Sequence, residues 1–145
     1  MNLSMEFARK TDLAYSALCK PLCQTLKIPQ TAFDILLFLA NNPEYSTARD
    51  IVEIRHIKAN LVSVNVDRLV QEGYLERRTV AGDRRKTQLL CTEQARPIVE
   101  QGRKLQAEFL DALFAGVSPD LRSAFDQTVR IMGRNLDVIL EGEHK

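Results

Sequence analysis

The chain lacks a long apolar run and has few cysteines. Its longest hydrophobic stretch, ILLFLA at residues 35–40, is far shorter than the roughly 20 residues that a transmembrane helix needs. The N-terminal MNLSMEFARK contains no apolar segment that ends at a small-residue cleavage site, which argues against secretion. Three cysteines cannot all pair within one chain, so reduced thiols are expected. These absences predict a cytoplasmic protein without a membrane partner.

Signatures of catalysis and of metal binding are also missing. The sequence has no GxGxxG, no phosphate-binding loop, no HExxH and no GxSxG. The two histidines, His56 and His144, lie in unrelated places without the spacing of metal ligands. We therefore expect a protein that is not an enzyme, holds no metal and needs no cofactor.

Positive charge is concentrated in the middle of the chain, although the formal net charge is only +1. Residues 55–86 carry eight Lys or Arg against four Asp or Glu, and the segments on either side are mildly acidic. Within this window, RRTVAGDRRK at 77–86 places five cations in ten residues. Such a distribution indicates that the middle of the chain meets a polyanion.

The hydrophobic periodicity predicts a mainly α-helical protein with one β-hairpin. Apolar residues at helical spacing predict a first helix over 4–27, bent or split at Pro21, and a central second helix from Pro29 to about Asn42. Thr47 with Asp50 predicts the capping box of a third helix, and a fourth runs from about Lys58 to Gly73. The spacing of the apolar residues then changes from helical to the alternation of extended strands, which predicts a β-hairpin. Two long helices are predicted after it, starting at Thr92 and at Ser118.

The third and fourth helices, joined by a short turn, meet the definition of a helix-turn-helix. The start of the second helix in such a motif enters the major groove of DNA, where base edges present a full hydrogen-bonding code. The side chains predicted to contact DNA from this helix are Lys58, Asn60, Ser63 and Asn65.

The hairpin that follows is predicted to be a second DNA contact. Its strands, YLERRTV and KTQLLCT, flank a turn AGDRR, and arginines on a projecting tip suit the narrow minor groove while strand cations neutralise phosphates. Asp83 is expected to cap the turn or to orient an arginine. The cations predicted to contact DNA are Arg77, Arg78, Arg84, Arg85 and Lys86.

The segment from Val66 to Ala95 resembles the winged-helix core of the multiple antibiotic resistance regulator (MarR) family of bacterial transcription factors. The motifs that carry the resemblance are Asp67-Arg68-Leu69, Gly73-Tyr74-Leu75, Asp83-Arg84-Arg85, and Leu89 with Thr92. The resemblance implies a homodimer that reads an inverted-repeat operator, with repression relieved by a small ligand or by oxidation. Lys58 departs from the small capping residue that is frequent in the family, and Ala95 from its frequent Gly.

Two further groups of residues are candidates for sensing. The aromatic residues Phe7, Tyr15, Phe33 and Phe38 are candidates for a ligand pocket, although aromatics at helical spacing are more often core. Cys19 and Cys23 share a helix face and are candidates for a redox switch, although buried cysteines are more often simple packing residues.

These patterns together predict a winged helix-turn-helix with helical dimerisation arms from both termini. The predicted parts are a dimerisation helix at 1–28, the DNA-binding core at 29–92 and dimerisation helices at 93–145. The predicted function is a sequence-specific regulator of transcription that binds double-stranded DNA as a homodimer, with a small molecule or an oxidant as the signal. The alternative is a winged-helix module that dimerises or docks proteins without binding DNA.

Overall fold

A computed structural model describes residues 2–143, without the side chains of residues 2, 3 and 84. Six α-helices and one hairpin follow in chain order, with a short 3₁₀ turn, Glu93–Ala95, before the fifth helix. The elements are α1 Asn2–Leu26, α2 Gln30–Asn41, α3 Ala48–Arg55, α4 Ala59–Gln71, β1 Leu75–Val80, β2 Asp83–Cys91, α5 Arg96–Leu113 and α6 Pro119–Glu143. The chain forms two compact units, residues 1–109 and 110–145.

Helix α1 continues through Pro21 without interruption, so of the two predicted effects of this proline, a bend or a division, the division is wrong. Proline lacks an N–H and removes one backbone hydrogen bond from a helix interior. The turn after it gains a side-chain bond, because the Thr25 hydroxyl donates to the Pro21 carbonyl at 3.0 Å. The helix ends at Lys27, which adopts a left-handed φ of 58°.

Helix α2 is the centre of the core. Helix α2 carries apolar side chains on nearly every face, and seven of its twelve residues are buried. These are Ala32, Phe33, Ile35, Leu36, Leu37, Phe38 and Leu39. The end of α2 is joined to the middle of α5 by Arg103, which donates to the Asn41 side chain at 2.9 Å and to the Ala40 carbonyl at 3.1 Å. Gln106 extends this link to the Tyr15 hydroxyl on α1 at 3.1 Å.

The predicted capping box of α3 is confirmed. The Thr47 hydroxyl accepts the N–H of Asp50 at 3.1 Å, and the Asp50 carboxylate accepts the N–H of Thr47 at 3.2 Å. Helix α3 then ends at His56, whose left-handed φ of 54° turns the chain toward α4. Helices α3 and α4 are thus separated by three residues, 56–58, and form the predicted helix-turn-helix.

The hairpin has the predicted position but a tighter turn. Val80 pairs with Asp83, so the turn is only Ala81 and Gly82, and residues 83–86 belong to strand β2. Gly82 has φ of 86°, which favours glycine. The base of the hairpin is tied to the α2–α3 loop, because the N–H of Leu89 donates to the Ser46 carbonyl at 2.7 Å.

The start of α5 differs from the prediction. The Thr92 hydroxyl does not cap the helix but donates to the Gly73 carbonyl at 2.6 Å, which joins the end of α4 to the end of the hairpin. The predicted start of α6 is confirmed, since Ser118 Oγ accepts the N–H of Leu121 at 3.2 Å. Among the described residues, no helix combines the length and apolarity needed to span a bilayer.

Candidate nucleic-acid interface

The start of α4 presents polar side chains to solvent. Lys58 is the residue that precedes the helix, and Asn60 and Ser63 lie on its first two turns; all three are exposed. The opposite face, with Val62, Val66 and Leu69, is buried in the core. Helix α4 therefore packs against the core with one face and exposes the other face to solvent, where a partner can bind.

Asn65 is the one predicted contact on α4 that lies inside. Only 8% of it is exposed, and its side-chain amide donates to the Leu61 carbonyl one turn earlier at 2.8 Å. A base contact from Asn65 is therefore not supported. The pattern that placed it on the polar face missed the bond to the preceding turn, which satisfies its amide within the helix.

The arginines of strand β1 are paired within the chain. Arg77 makes an ion pair with Asp67 of α4, and Arg78 pairs with Glu76 at 2.7 Å. The first pair joins the hairpin to the fourth helix, whereas the second lies within β1. Arg68 likewise pairs with Glu72 at 2.9 Å. Exposed pairs of this kind contribute little to stability, so these cations can still exchange partners.

The cations of strand β2 are different. Arg85 and Lys86 are exposed and, within the described part of the chain, neither forms an ion pair; the same holds for Lys58. The side chain of Arg84 lies outside the described residues. Asp83 caps the turn, since its carboxylate accepts the N–H of Arg85 at 3.0 Å. Each acid at 55–86 is thus engaged locally, which leaves unneutralised positive charge on this surface.

Helices α3 and α4 and the hairpin line one groove of about 480 Å³. Ser63 of α4 faces it together with Arg77 and Thr87 of the hairpin. Arg85 lies two residues before Thr87 on the same strand, in the segment 84–86 where the pairing of the two strands is irregular. Of the predicted contacts, the fold therefore brings Ser63 of the helix and Arg77 of the hairpin to one groove. Arg49 also lines this groove, and sequence reasoning missed it, although its place on the first helix of the motif was a usable signal.

The four aromatic candidates do not form one pocket. Phe33 is fully buried in the core, and Phe7 lies 54% exposed on α1. Tyr15 and Phe38 line a cavity of about 220 Å³ that also contains the carboxylate of Asp34.

Asp34 is a buried acid with a perturbed pKa. Only 16% of its side chain is exposed, and burial raises its pKa from 3.8 to about 6, although Arg55 at 3.6 Å and a bond from Gln30 act in the opposite direction. Tyr15, which faces the same cavity, has its pKa raised to about 12, chiefly by burial.

The candidate redox cysteines are buried thiols. Burial raises the pKa of Cys19 and raises that of Cys23 to about 11, so the reactive thiolate is scarce near neutral pH. Cys19 and Cys23 both belong to the hydrophobic core. Their environment favours a packing role.

No three His, Cys, Asp or Glu side chains converge as metal ligands within the described part of the chain. His56 is exposed at the α3–α4 turn, and His144 lies outside the described residues.

Comparison with known proteins agrees with this geometry. A family model described as the MarR family matches residues 26–86, which hold the helix-turn-helix and the basic part of the hairpin. A MarR transcriptional regulator from Methanosarcina mazei Go1 is 18% identical with a TM-score of 0.77, covering 96% of this chain and 99% of its own.

Two further structures show the same fold at low identity. One is BpsR of Bordetella bronchiseptica, whose DNA binding is regulated by 6-hydroxynicotinic acid. It is 21% identical to this chain with a TM-score of 0.65, and the match covers 88% of this chain and 91% of BpsR. The reduced form of MarR from E. coli is 18% identical with a TM-score of 0.66, covering 88% and 93%. The match to the MarR family model thus covers residues 26–86, and the solved structures share the winged-helix fold of this chain along nearly its whole length.

Proposed function

We propose that the chain is a regulator of transcription that binds double-stranded DNA in a sequence-specific manner. The observation that carries the proposal is the groove that Ser63 of α4 shares with Arg77 and Thr87 of the hairpin. Exposed Asn60 lies one turn before Ser63, and exposed Arg85 and Lys86 precede Thr87 on the same strand. An α-helix fits the major groove, where the Asn60 amide can bond adenine bidentately. The hairpin cations supply contacts to phosphates or to the adjacent minor groove.

The regulator acts as a homodimer on an inverted-repeat site. The support is the set of apolar side chains that the described chain leaves exposed on its terminal helices. Helix α6 has no buried residue, yet it carries a stripe at helical spacing: Leu121, Phe125, Val129, Met132, Leu136 and Leu140. Helix α1 likewise exposes Met5, Phe7, Leu13 and Leu18. Because each of these side chains on α6 is already about half covered, with 44–64% exposed, its burial in an assembly would be favourable by roughly 1 kcal/mol.

The regulator is a repressor that a small molecule releases. The buried, high-pKa thiols of Cys19 and Cys23 favour a ligand over an oxidant as the signal. The described likeness to BpsR, whose DNA binding 6-hydroxynicotinic acid regulates, supports the same kind of response in this chain.

A docking module without DNA binding is the second candidate. The observation that favours it is the internal pairing of Arg68, Arg77 and Arg78, which reduces the charge available to DNA. The two functions differ in their dependence on salt.

The deciding experiment uses genomic fragments selected by the purified protein, followed by fluorescence anisotropy across a KCl series. Among the side chains that the structure describes, Lys58, Arg85 and Lys86 provide three unpaired cations per subunit and therefore six per dimer. Six phosphate contacts give a loss of affinity of about 10³-fold between 50 and 200 mM salt. Flat salt dependence, or no enrichment of any fragment, would contradict the regulator and favour the docking module.

Two substitutions separate base contacts from phosphate contacts. Asn60→Ala should remove preference at one position per half-site, worth about 1–3 kcal/mol. Arg85→Ala should weaken binding to every sequence and reduce the salt dependence. Lys104→Ala, an exposed cation on α5, is the matched control and should bind as the parent does. An equal loss on all sequences from Asn60→Ala would contradict a base contact.

A further inference from the structure

The outward face of α4 carries an apolar side chain near its centre. The buried residues of this helix all lie on one side. The side directly opposite is occupied by Asn60, Val64, Asp67 and Gln71, which follow one another at intervals of four, three and four residues. Val64 is 65% exposed and lies one turn beyond Asn60. Single exposed apolar residues are common on protein surfaces, so the significance of Val64 lies in its position.

A valine at this position does not serve the packing of the chain itself. Val62 and Val66, two residues to either side, belong to the hydrophobic core, whereas Val64 lies outside it. A β-branched side chain also has a lower helix propensity than Ala, because the preceding turn restricts its rotation. The same restriction holds the two methyl groups of Val64 in one orientation, so a contact with a partner costs little conformational freedom.

The surroundings of this side chain are polar and positively charged. Asn60 and Ser63 place hydrogen-bonding groups beside it, and exposed Lys58 forms no ion pair within the described part of the chain. Asp67, one turn further along, is paired with Arg77, so its negative charge is neutralised. A small apolar centre among such groups matches the major groove of DNA. The groove presents phosphates at its edges, donors and acceptors on its floor, and the thymine C5-methyl as its apolar group.

We propose that Val64 contacts the C5-methyl group of a thymine and so adds one A·T or T·A base pair to the sequence that α4 reads. The inference rests on the proposed function and deepens it, because it names part of the recognised sequence. Residues four apart are separated by about 6 Å along a helix, and base pairs stack at about 3.4 Å. The thymine therefore lies one or two base pairs from the position that Asn60 reads.

The test removes a single methyl group from the DNA. Each thymine of a selected duplex is replaced in turn by deoxyuridine, which lacks only the C5-methyl, and the affinity of the full chain is measured by fluorescence anisotropy. One replacement, one or two base pairs from the position at which Asn60→Ala relaxes preference, should weaken binding about three- to fivefold, as loss of one buried methyl contact does. A parent protein that is indifferent to every replacement, or sensitive only at a more distant thymine, would overturn the proposal.

Val64→Ala completes a double-mutant cycle with this replacement. The variant should bind the thymine duplex about three- to fivefold more weakly than the parent does. It should bind the thymine and deoxyuridine duplexes equally, because the contact is already lost. Alanine favours the helix, so the circular dichroism spectrum should be retained. A deoxyuridine penalty that persists undiminished in Val64→Ala would refute the contact.

Two substitutions are matched controls. Leu61→Ala removes the other exposed large apolar side chain of α4, which lies about 100° around the helix from Asn60, and should keep the deoxyuridine penalty. Val138→Ala makes the same change at a valine of α6 that is 67% exposed and lies off the apolar stripe of that helix, and it should change neither affinity nor penalty. Loss of the penalty in Leu61→Ala but not in Val64→Ala would assign the methyl contact to Leu61 and contradict the proposal.

The outcomes distinguish this proposal from the proposed function. If no duplex binds the parent protein, the regulator is refuted together with the contact from Val64. If duplexes bind with a sequence preference that no thymine methyl affects, the contact is refuted and the regulator stands.

Discussion

Replacement of Asp34 by asparagine is expected to stabilise the protein at neutral pH. Burial raises the pKa of this carboxyl from 3.8 to about 6, so the fold favours its protonated form. At about 1.36 kcal/mol for each pH unit between the two values, the ionised group costs roughly 3 kcal/mol at pH 7. An asparagine side chain at this position would be neutral and of the same size. The guanidinium of Arg55, 3.6 Å from the Asp34 carboxylate, lowers the pKa of that carboxyl, and the folded value of about 6 already includes this effect.

The sign of the pH dependence follows from these values. A carboxyl whose pKa is raised on folding favours the folded state fully below about pH 3.8 and loses that contribution as pH rises through about 6. The stability advantage of Asp34→Asn should therefore be up to about 3 kcal/mol at pH 7.5 and should shrink toward zero near pH 4.

Urea unfolding followed by circular dichroism, repeated from pH 4 to pH 7.5, measures this difference. Asp12→Asn removes an exposed carboxylate on α1 and serves as the matched control, with little effect expected at any pH. A less stable Asp34→Asn protein at pH 7.5, or an advantage that does not change with pH, would refute the reasoning.

Three other substitutions or reactions test the core. Gly102→Ala should lower the free energy of unfolding by about 1–3 kcal/mol, because a Cβ there would lie 2.7–2.9 Å from three atoms of buried Leu37. The control is Gly133→Ala, whose Cβ would meet no atom within 4 Å. In the same urea assay it should be neutral or stabilising. Thr47→Ala removes the cap of α3 and should lower the free energy of unfolding by about 1 kcal/mol, measured likewise; no change would mean that the cap is dispensable. Iodoacetamide at pH 8 should label Cys23 at least about tenfold more slowly in the folded protein than in urea, because burial raises the pKa of this thiol to about 11. Mass spectrometry measures the two labelling rates. Equal rates would contradict the burial of Cys23.

Local signals in the sequence were sufficient for much of the fold. Thr47 and Asp50 are three residues apart before an apolar pattern, and the capping box they form depends only on neighbours along the chain. Ser118 and Pro119 marked the start of α6 in the same way. The change from helical to alternating period placed the hairpin correctly.

Features that depend on distant partners were not predictable. Thr92 was expected to cap a helix, but its hydroxyl bonds Gly73, 19 residues earlier, because the hairpin brings the two together. Pro21 was expected to bend or divide α1, and the helix continues through it undivided. Such outcomes reflect tertiary packing, which overrides local preference.

The candidate interface was predictable in position but not in available charge. Eight cations at 55–86 suggested a strongly positive surface, and the structure pairs Arg55, Arg68, Arg77 and Arg78 with acids. The pair between Arg77 and Asp67 spans ten residues of sequence and could not be assigned without knowing how the hairpin folds onto α4. Asn65 was misplaced because helical spacing alone gave it to the polar face.

The attachment of the hairpin at its base has a consequence for how proteins of this fold can diversify. Leu89 bonds Ser46 and Arg77 pairs with Asp67, whereas the far end, including Gly82, Arg85 and Lys86, is exposed. Exposed loop ends tolerate insertions and substitutions with little effect on folding. Changes in length or charge at this end can therefore accumulate at small cost in stability, so evolution can retune what the hairpin touches while the helical scaffold stays the same.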